Sequence, residues 1–290
     1  MFEKFERKRV DTGEIEINAV VGGAGPPLLL LHGYPQTHAM WHRVAPALAE
    51  RFSVVAADLR GYGDSDKPAG DSRHETYCKR RMAQDQVDLM AALGHDRFQV
   101  AGHDRGARVV HRLCLDHPDR VERAALLDIV PTHTFFRDLN SDTAHGYYHW
   151  FFLSQPFDLP ERMIGADPVA YLDSKLGHWS ASMSGFAEAA LMEYRRCFSD
   201  PATIHASCED YRAAITIDLE HDEADLDTAV GCPLLVLWGA RGMVGKNYDV
   251  LGIWRGKAAE VTGGALDCGH FLAEEAPDAV LREFREFFVA

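Results

Sequence analysis

The sequence predicts an α/β protein in which a mostly parallel sheet is flanked by helices and a helical cap is inserted late in the sheet. Short apolar runs alternate along the chain with amphipathic stretches, and an aromatic-rich region, 131–230, interrupts that alternation. Apolar runs too short for helices are typical of strands buried on both faces, as in parallel sheets. Repeated strand–helix units favour a doubly wound sheet. We therefore expect a core domain formed by 1–130 and 231–290, and a cap domain formed by 131–230.

The elements follow in chain order from an initial polar hairpin. Its strands are expected at Phe5–Asp11 and Glu14–Val21, around a Thr12-Gly13 turn. The predicted buried strands are Pro27–Leu31, Phe52–Ala57, Phe98–Gly102, Arg123–Ile129 and Pro233–Gly239. The predicted amphipathic helices are Met40–Arg51, Tyr77–Leu93, Arg105–His117 and Ala276–Phe288. In such sheets ligands bind at the carboxyl ends of the strands, so the cap is expected above that edge.

Charge and composition limit the classes of partner. Thirty Lys and Arg residues against 44 Asp and Glu give a formal net charge of −14, which disfavours nucleic acids and anionic membrane surfaces. No apolar run reaches the roughly 18 residues of a membrane span. The N-terminal stretch 1–9 is charged, and the six cysteines include no C-x-x-C pair. We therefore expect a reduced, cytoplasmic protein.

The pentapeptide 102–106, GHDRG, has the form of a G-x-S-x-G nucleophile elbow with Asp104 in place of serine. A carboxylate is already anionic at neutral pH, so it needs no base to become a nucleophile. It suits displacement of a leaving group from a saturated carbon, which forms an ester that water must then hydrolyse. The alternative is an Asp104 side chain that only caps the helix beginning at Arg105.

A base and an acid are expected later in the chain, in the order nucleophile, acid, histidine. His270, in a Gly-His loop before the last helix, is the candidate that activates water. Two carboxylates could orient it. Asp128 closes an apolar strand, whereas Asp249 follows the late strand that ends at Gly239. We favour Asp128, because a carboxylate at an apolar strand end needs a reason to be there.

The turn 32–35, HGYP, follows the first buried strand. Its tight geometry could direct the backbone N–H of Tyr34, together with that of Arg105, at the oxygen that gains charge when water attacks the ester. The alternative is an ordinary strand-to-loop turn.

Taken together, the His-Gly-x-Pro turn, the aspartate at the elbow, the late Gly-His and the cap resemble the α/β-hydrolases that include epoxide hydrolases and haloalkane dehalogenases. The resemblance covers essentially the whole chain. Within that group the sequence is most similar to the fluoroacetate (haloacetate) dehalogenases. The motifs that carry this similarity are GHDRGAR at 102–108, His149-Trp150, and DYR at 210–212.

The resemblance implies roles for residues around the elbow. Arg105 and Arg108 correspond to arginines that bind the substrate carboxylate, and their i, i+3 spacing puts them on one face at a helix N-terminus. Solvated helix charges are the alternative. The halide would be bound by three N–H and O–H donors, with aromatic packing as the alternative. These donors are His149, Trp150 and Tyr211.

The expected reaction is therefore hydrolysis of a 2-haloacid, most simply fluoroacetate to glycolate, without cofactor or metal. The resemblance also implies a homodimer, and this chain departs from its pattern at Tyr34, where phenylalanine is expected. Epoxide hydrolysis is the second enzyme hypothesis, with Tyr211 and either Tyr147 or Tyr148 as proton donors. A ligand-binding receptor on the same fold is a third hypothesis, and a metal site built from His145 and His149 is the weakest.

Overall fold

The computed structural model describes residues 1–289, and its centre is one sheet of eight strands. The apolar runs predicted as strands form most of this sheet. The strands are β1 Glu6–Asp11, β2 Glu16–Gly22, β3 Pro27–Leu31, β4 Ser53–Ala57, β5 Phe98–His103, β6 Val121–Leu127, β7 Leu234–Gly239 and β8 Val261–Leu266.

Helices separate and follow these strands, beginning after β3. In chain order they are α1 Ala45–Leu48, α2 Lys79–Ala92, α3 Arg105–Asp116, α4 Thr132–Arg137, α5 Ser141–Gly146, α6 Tyr148–Leu153, α7 Leu159–Gly165, α8 Pro168–Trp179, α9 Glu188–Phe198, α10 Pro201–Ala214, α11 Ile217–Ala224, α12 Met243–Asn247, α13 Val250–Arg255, α14 Leu272–Glu275 and α15 Pro277–Phe287. Short 3₁₀ turns lie at His38–Trp41, Glu75–Tyr77 and Met183–Gly185. Within 1–289, no helix combines the length and the apolar character needed to cross a membrane.

The strand order is β1-β2-β4-β3-β5-β6-β7-β8. Strands β3 to β8 run parallel, and β1 and β2 are antiparallel to their neighbours, so the predicted mostly parallel sheet is confirmed. The chain reverses its direction across the sheet between β3 and β5, where Leu31 is paired with Gly102. Such a switch point opens a crevice at the carboxyl ends of the strands. The turn after β3 and the elbow after β5 therefore emerge side by side.

Two predicted elements differ in the structure. The helix predicted at Met40–Arg51 is divided into the 3₁₀ turn and α1, because Pro46 has no N–H to donate and must sit in the first turn of a new helix. Strand β8 was not predicted. It has only a few apolar residues, and Gly263 adopts a φ of +128° at this sheet edge.

The hairpin is also less polar than expected. Strand β1 is largely exposed at the sheet edge, but β2 lies between β1 and β4, and its central residues are buried. Strand β6 ends at Leu127, two residues earlier than predicted, so Asp128 begins the loop instead of lying within the strand. Asp128 has a φ of +56°, a left-handed conformation uncommon for a non-glycine residue.

Helices α4–α11 all lie between β6 and β7 in sequence. Hydrogen bonds tie this segment to the sheet's carboxyl edge, including one from α8 and one from α10. The backbone N–H of His270 donates to the carbonyl of Trp179 at 2.9 Å, and the Tyr62 hydroxyl donates to Asp210 Oδ2 at 2.7 Å. These contacts position α8 and α10 beside the elbow.

Candidate active site

Asp104 occupies the tight turn between β5 and α3, with φ 48° and ψ −114°. Its side chain accepts no hydrogen bond from the first turn of α3, so the interpretation as a helix cap is wrong. Instead, Oδ1 accepts the backbone N–H of Tyr34 at 2.9 Å. This close approach requires Gly33, because a Cβ there would lie 2.5 Å from the Asp104 Cβ.

Opposing effects act on the ionisation of the Asp104 carboxyl. Burial raises its pKa, but the positive charges of His270, Arg105 and Arg108 outweigh burial and hold the pKa below its ordinary value. The carboxylate therefore stays anionic at neutral pH, which is the form that can attack carbon.

His270 and Asp128 form the second part of the site. His270 Nδ1 lies 2.6 Å from Asp128 Oδ2, and Asp128 Oδ1 accepts the Gly239 N–H at 2.9 Å. The other ring nitrogen, Nε2, lies 3.9 Å from Asp104 Oδ2. Burial lowers the pKa of His270, but the hydrogen bond and charge of Asp128 more than offset this and raise it.

Asp249, the alternative to Asp128, lies elsewhere. Its Oδ1 accepts the N–H of Gly252 at 3.0 Å and caps α13. His103, a motif residue for which the sequence suggested no role, is fully buried beside His270, and its Nε2 lies 2.8 Å from the His270 carbonyl oxygen. Burial, aided by the nearby His270, lowers the pKa of His103 to about 3, so this ring is neutral.

The two arginines after the elbow are buried, but their partners differ. Arg105 directs Nε and Nη2 to the Asp210 carboxylate at 2.9 and 2.5 Å, and only its Nη1 is unpartnered. Arg108 donates through Nη1 to two neutral acceptors, the Val130 carbonyl at 3.0 Å and the Thr132 hydroxyl at 2.9 Å. The sequence did not predict that Asp210 already occupies two donors of Arg105.

The three predicted halide-binding residues converge. The ring of Tyr211 packs edge-to-face on His149 and Trp150, with centroids 5.6 and 5.4 Å away. His149 Nδ1 and the Tyr211 hydroxyl are buried without a hydrogen-bond partner among the described residues. Burial, and then the charge of Lys175, lowers the pKa of His149 well below its ordinary value. His149 is therefore a neutral donor.

A cavity of about 240 Å³ opens onto this arrangement. Its lining includes Asp104, Asp128, His149, Trp179 and His270. Five other predicted residues are buried outside the lining, and these are Tyr34, Arg105, Arg108, Trp150 and Tyr211. A cavity of this volume suits a small molecule.

Sequence reasoning missed several residues at the site. Asp210 binds Arg105, and Lys175 lies beside Trp179, which lines the cavity. The sequence offered one signal, the Asp210 in the DYR motif; a lone lysine in a helix gives none. A metal site was also considered at His145 and His149, but the three-residue cluster with metal-ligating geometry in 1–289 is Cys78, Asp218 and His221.

Comparison with known proteins identifies a family and several relatives to which this chain is similar. A family model described as the alpha/beta hydrolase fold matches residues 26–277. A fluoroacetate dehalogenase from Burkholderia sp. is 49% identical over 288 residues, covering 99% of this chain and 95% of the relative. A soluble epoxide hydrolase from Corynebacterium sp. (strain C12) is 36% identical over 273 residues, covering 93% and 92%.

Solved structures agree with these relatives. A protein from Nostoc sp. PCC 7120, assigned to the alpha/beta hydrolases, has a TM-score of 0.98 and 58% identity, covering 99% of both chains. The epoxide hydrolase CorEH, without ligand, has a TM-score of 0.89 and 32% identity, covering 98% of this chain and 99% of that one. The fold is thus shared across relatives with different reactions.

Proposed function

This chain belongs to the α/β hydrolase superfamily, and we propose that it is a haloacetate dehalogenase, which converts a haloacetate such as fluoroacetate to glycolate and halide through an aspartyl ester. The single observation that carries the proposal is the pair of buried arginines beside an aspartate nucleophile. A neutral substrate needs no cation there, whereas a carboxylate is bound well by guanidinium groups. The Burkholderia relative supports the same reaction.

In the first step, Asp104 Oδ2 attacks the carbon that bears the halogen. A carbon–oxygen bond forms, and the carbon–halogen bond breaks with its electron pair leaving on the halide. The substrate carboxylate is bound by Arg108 and by Nη1 of Arg105. This second assignment is supported by the lack of a hydrogen-bond partner for that nitrogen among the described residues. Halide charge develops against His149, Trp150 and Tyr211, and the orphaned donors of His149 and Tyr211 support this role.

In the second step, water attacks the Asp104 carbonyl carbon after His270 Nε2 takes its proton. Asp128 orients the imidazole, and the short Nδ1–Oδ2 distance of 2.6 Å supports that assignment. The charge on Oδ1 is stabilised by the Tyr34 N–H, which donates to this oxygen at 2.9 Å, and by the Arg105 N–H. The bond between the Asp104 carbonyl carbon and the glycolate oxygen then breaks, and His270 returns its proton to that oxygen. Asp104 loses the second proton of the water to solvent and is again a carboxylate.

Isotope labelling tests this route. In a single turnover in ¹⁸O-water, the label should enter Asp104 and not glycolate, because water attacks the enzyme ester. Peptide mass spectrometry locates the label. Label that appears directly in glycolate in the first turnover contradicts the covalent route.

Epoxide hydrolysis is the second candidate. It is supported by the buried, unpartnered Tyr211 hydroxyl and by Tyr147 in the cavity lining, both able to protonate an epoxide oxygen. Fluoride release from fluoroacetate and diol formation from styrene oxide, measured on the same preparation, separate the two reactions. Diol formation without fluoride release would reverse their order.

Assembly and compartment are further parts of the proposal. A homodimer is supported by apolar side chains exposed on the cap near α7, where Phe157 is 71% exposed and Leu159 and Met163 are also exposed. Light scattering of the wild type and a Phe157→Glu variant tests it, and a monomeric wild type contradicts it. The cytoplasm is supported by six cysteines that remain unpaired within 1–289. Cell fractionation tests that location.

A further inference from the structure

Lys175 is a buried lysine in the middle of α8, with only 3% of its surface exposed. Its Nζ lies 4.0 Å from the ring centroid of Tyr148, 5.0 Å from that of Tyr171 and 5.7 Å from that of Trp179. It donates its hydrogen bond to the Tyr148 hydroxyl. An ammonium group is thus enclosed by three aromatic rings on the cap side of the active site.

This ammonium has no counter-ion. Across residues 1–289, no carboxylate oxygen lies within 4.0 Å of the Lys175 Nζ, whereas the other buried lysine, Lys79, is paired with Asp210 and Asp218. Removing a charge from water is unfavourable unless an opposite charge compensates, and contacts with aromatic rings recover only part of that cost. The site therefore has an unbalanced positive charge that an anion could neutralise.

The position of Lys175 indicates which anion. Trp179, which forms one side of the aromatic enclosure, packs against His149 with ring centroids 4.5 Å apart and ring planes tilted by 49°. His149 in turn lines the cavity with Asp104. After burial, the charge of Lys175 is the largest influence that lowers the pKa of His149, so its field reaches the halide pocket.

The charges of the buried groups also favour the halide as the anion for Lys175. Arg105 is neutralised by Asp210, which leaves Arg108 and Lys175 as the two buried cations of this region without a carboxylate within 4.0 Å in the described chain. In the first step Asp104 loses its charge as the ester forms, and the halide gains one. Besides Asp128, which is paired with His270, the site then holds two anionic groups, the substrate-derived carboxylate and the halide. The two cations without a carboxylate partner match these two anions.

We propose that Lys175 is a positioning residue of the halide pocket: through Trp179 and His149, its buried ammonium stabilises the departing halide electrostatically. Arg108 serves the carboxylate and Lys175 serves the halide. This inference rests on the proposed dehalogenase function.

The test is a Lys175→Met variant, which keeps side-chain length and removes the charge. Bromide binding, measured by tryptophan fluorescence without substrate, should weaken about tenfold, because one partly screened positive charge has been removed. With fluoroacetate, kcat should fall and KM should change little, because the carboxylate contacts remain. The melting temperature should stay level or rise, because an uncompensated buried charge has been removed.

The control is Tyr148→Phe, which removes the hydrogen-bond acceptor but leaves the ring and the ammonium in place. It should bind bromide within twofold of wild type. Equal weakening in both variants, unchanged bromide binding in Lys175→Met, or a Lys175→Met protein that does not fold would each overturn the inference in favour of a structural lysine. A wild type that binds bromide but releases no fluoride overturns the proposed reaction and leaves the Lys175 result to be judged by bromide binding alone.

Discussion

The carboxyl edge of the sheet and the cap face the same cavity, but they position their polar groups differently. At the sheet edge, Asp104 and Asp128 each accept a backbone N–H, and Asp128 also binds His270. In the cap, His149 Nδ1 and the Tyr211 hydroxyl have no partner among the described residues, and aromatic packing sets their positions. At the sheet edge, hydrogen bonds within the protein fix both carboxylates, although His270 Nε2 is also buried without a partner among the described residues. In the cap, packing positions the donors of His149 and Tyr211.

This difference separates the two tasks of the site. Strand ends are fixed by the hydrogen bonds of the sheet, so groups that must meet a reacting atom repeatedly gain precision there. Each unpartnered buried polar group in the cap costs about 1–3 kcal/mol. Under the proposed function, the departing halide accepts those hydrogen bonds and so recovers this cost as its charge develops.

The largest effect should come from the sheet edge, at Asp104. An Asp104→Asn variant should lose at least about 10⁴-fold in kcat, because it removes the nucleophile from a set of groups that act together. Fluoride release measured within minutes of purification is the assay. A variant that keeps full turnover would contradict the hypothesis of an enzyme that uses Asp104 and would favour a receptor on this fold.

His270 should give the next largest effect, with a distinct signature. A His270→Gln variant still forms the ester but hydrolyses it slowly, so it should release one halide per active site and then stop, with kcat lower by roughly 10³-fold. Quenched-flow halide detection and intact mass of the trapped adduct measure this. Absence of any burst would place His270 in the first step instead.

Variants of the two arginines test the boundary between the sheet edge and the cap. Arg108→Met should raise KM for fluoroacetate, because substrate binding loses charged hydrogen bonds worth about 2 kcal/mol. The free energy of unfolding should change little. Arg105→Met should instead destabilise the fold by about 3 kcal/mol, because the buried Asp210 loses its bidentate partner. Urea unfolding beside steady-state kinetics compares them. Equal losses of stability would remove the distinction drawn from their partners.

The pH dependence follows from His270. Since Asp128 raises the pKa of His270 despite burial, the neutral base is present only above that raised pKa, and kcat should fall as pH decreases through it. Stability has the opposite sign. The raised pKa contributes stability below the unfolded pKa, and this contribution is lost as pH rises through the folded pKa. In Asp128→Asn, the acidic limb of the kcat profile should move to lower pH; an unmoved limb assigns it to another group.

The smallest effect should be at Tyr34. Its hydroxyl is buried without a hydrogen-bond partner in residues 1–289, and its ring centroid lies 5.4 Å from that of Tyr211 and 6.1 Å from that of Trp179. Tyr34→Phe removes an unsatisfied group and leaves the backbone N–H that binds Asp104, so stability should rise by up to about 1 kcal/mol and kcat should stay within twofold. Thermal unfolding and fluoride release check this. A large loss of kcat would show that the hydroxyl serves the substrate.

Most of the sheet could be predicted, because apolar runs such as Pro27–Leu31 can be buried only as interior strands. Strand β8 could not, since its glycines carry no hydrophobic pattern and its place at the edge is a property of the whole sheet. The helix predicted at Met40–Arg51 was too long, because the prediction followed the apolar periodicity and gave too little weight to Pro46. The choice of Asp128 over Asp249 could be argued from the sequence, but only the contacts separated them.

The proposed chemistry could be inferred from the sequence, because an aspartate at the elbow, a late histidine and arginines at i, i+3 are local patterns whose meaning depends on residue type and short spacing. How charge is divided among these groups became visible only in the folded chain. Asp210 neutralises Arg105, while Arg108 and Lys175 have no carboxylate within 4.0 Å in residues 1–289. Electrostatic pairing depends on distances of a few ångströms between residues far apart in the chain, and only folding sets those distances.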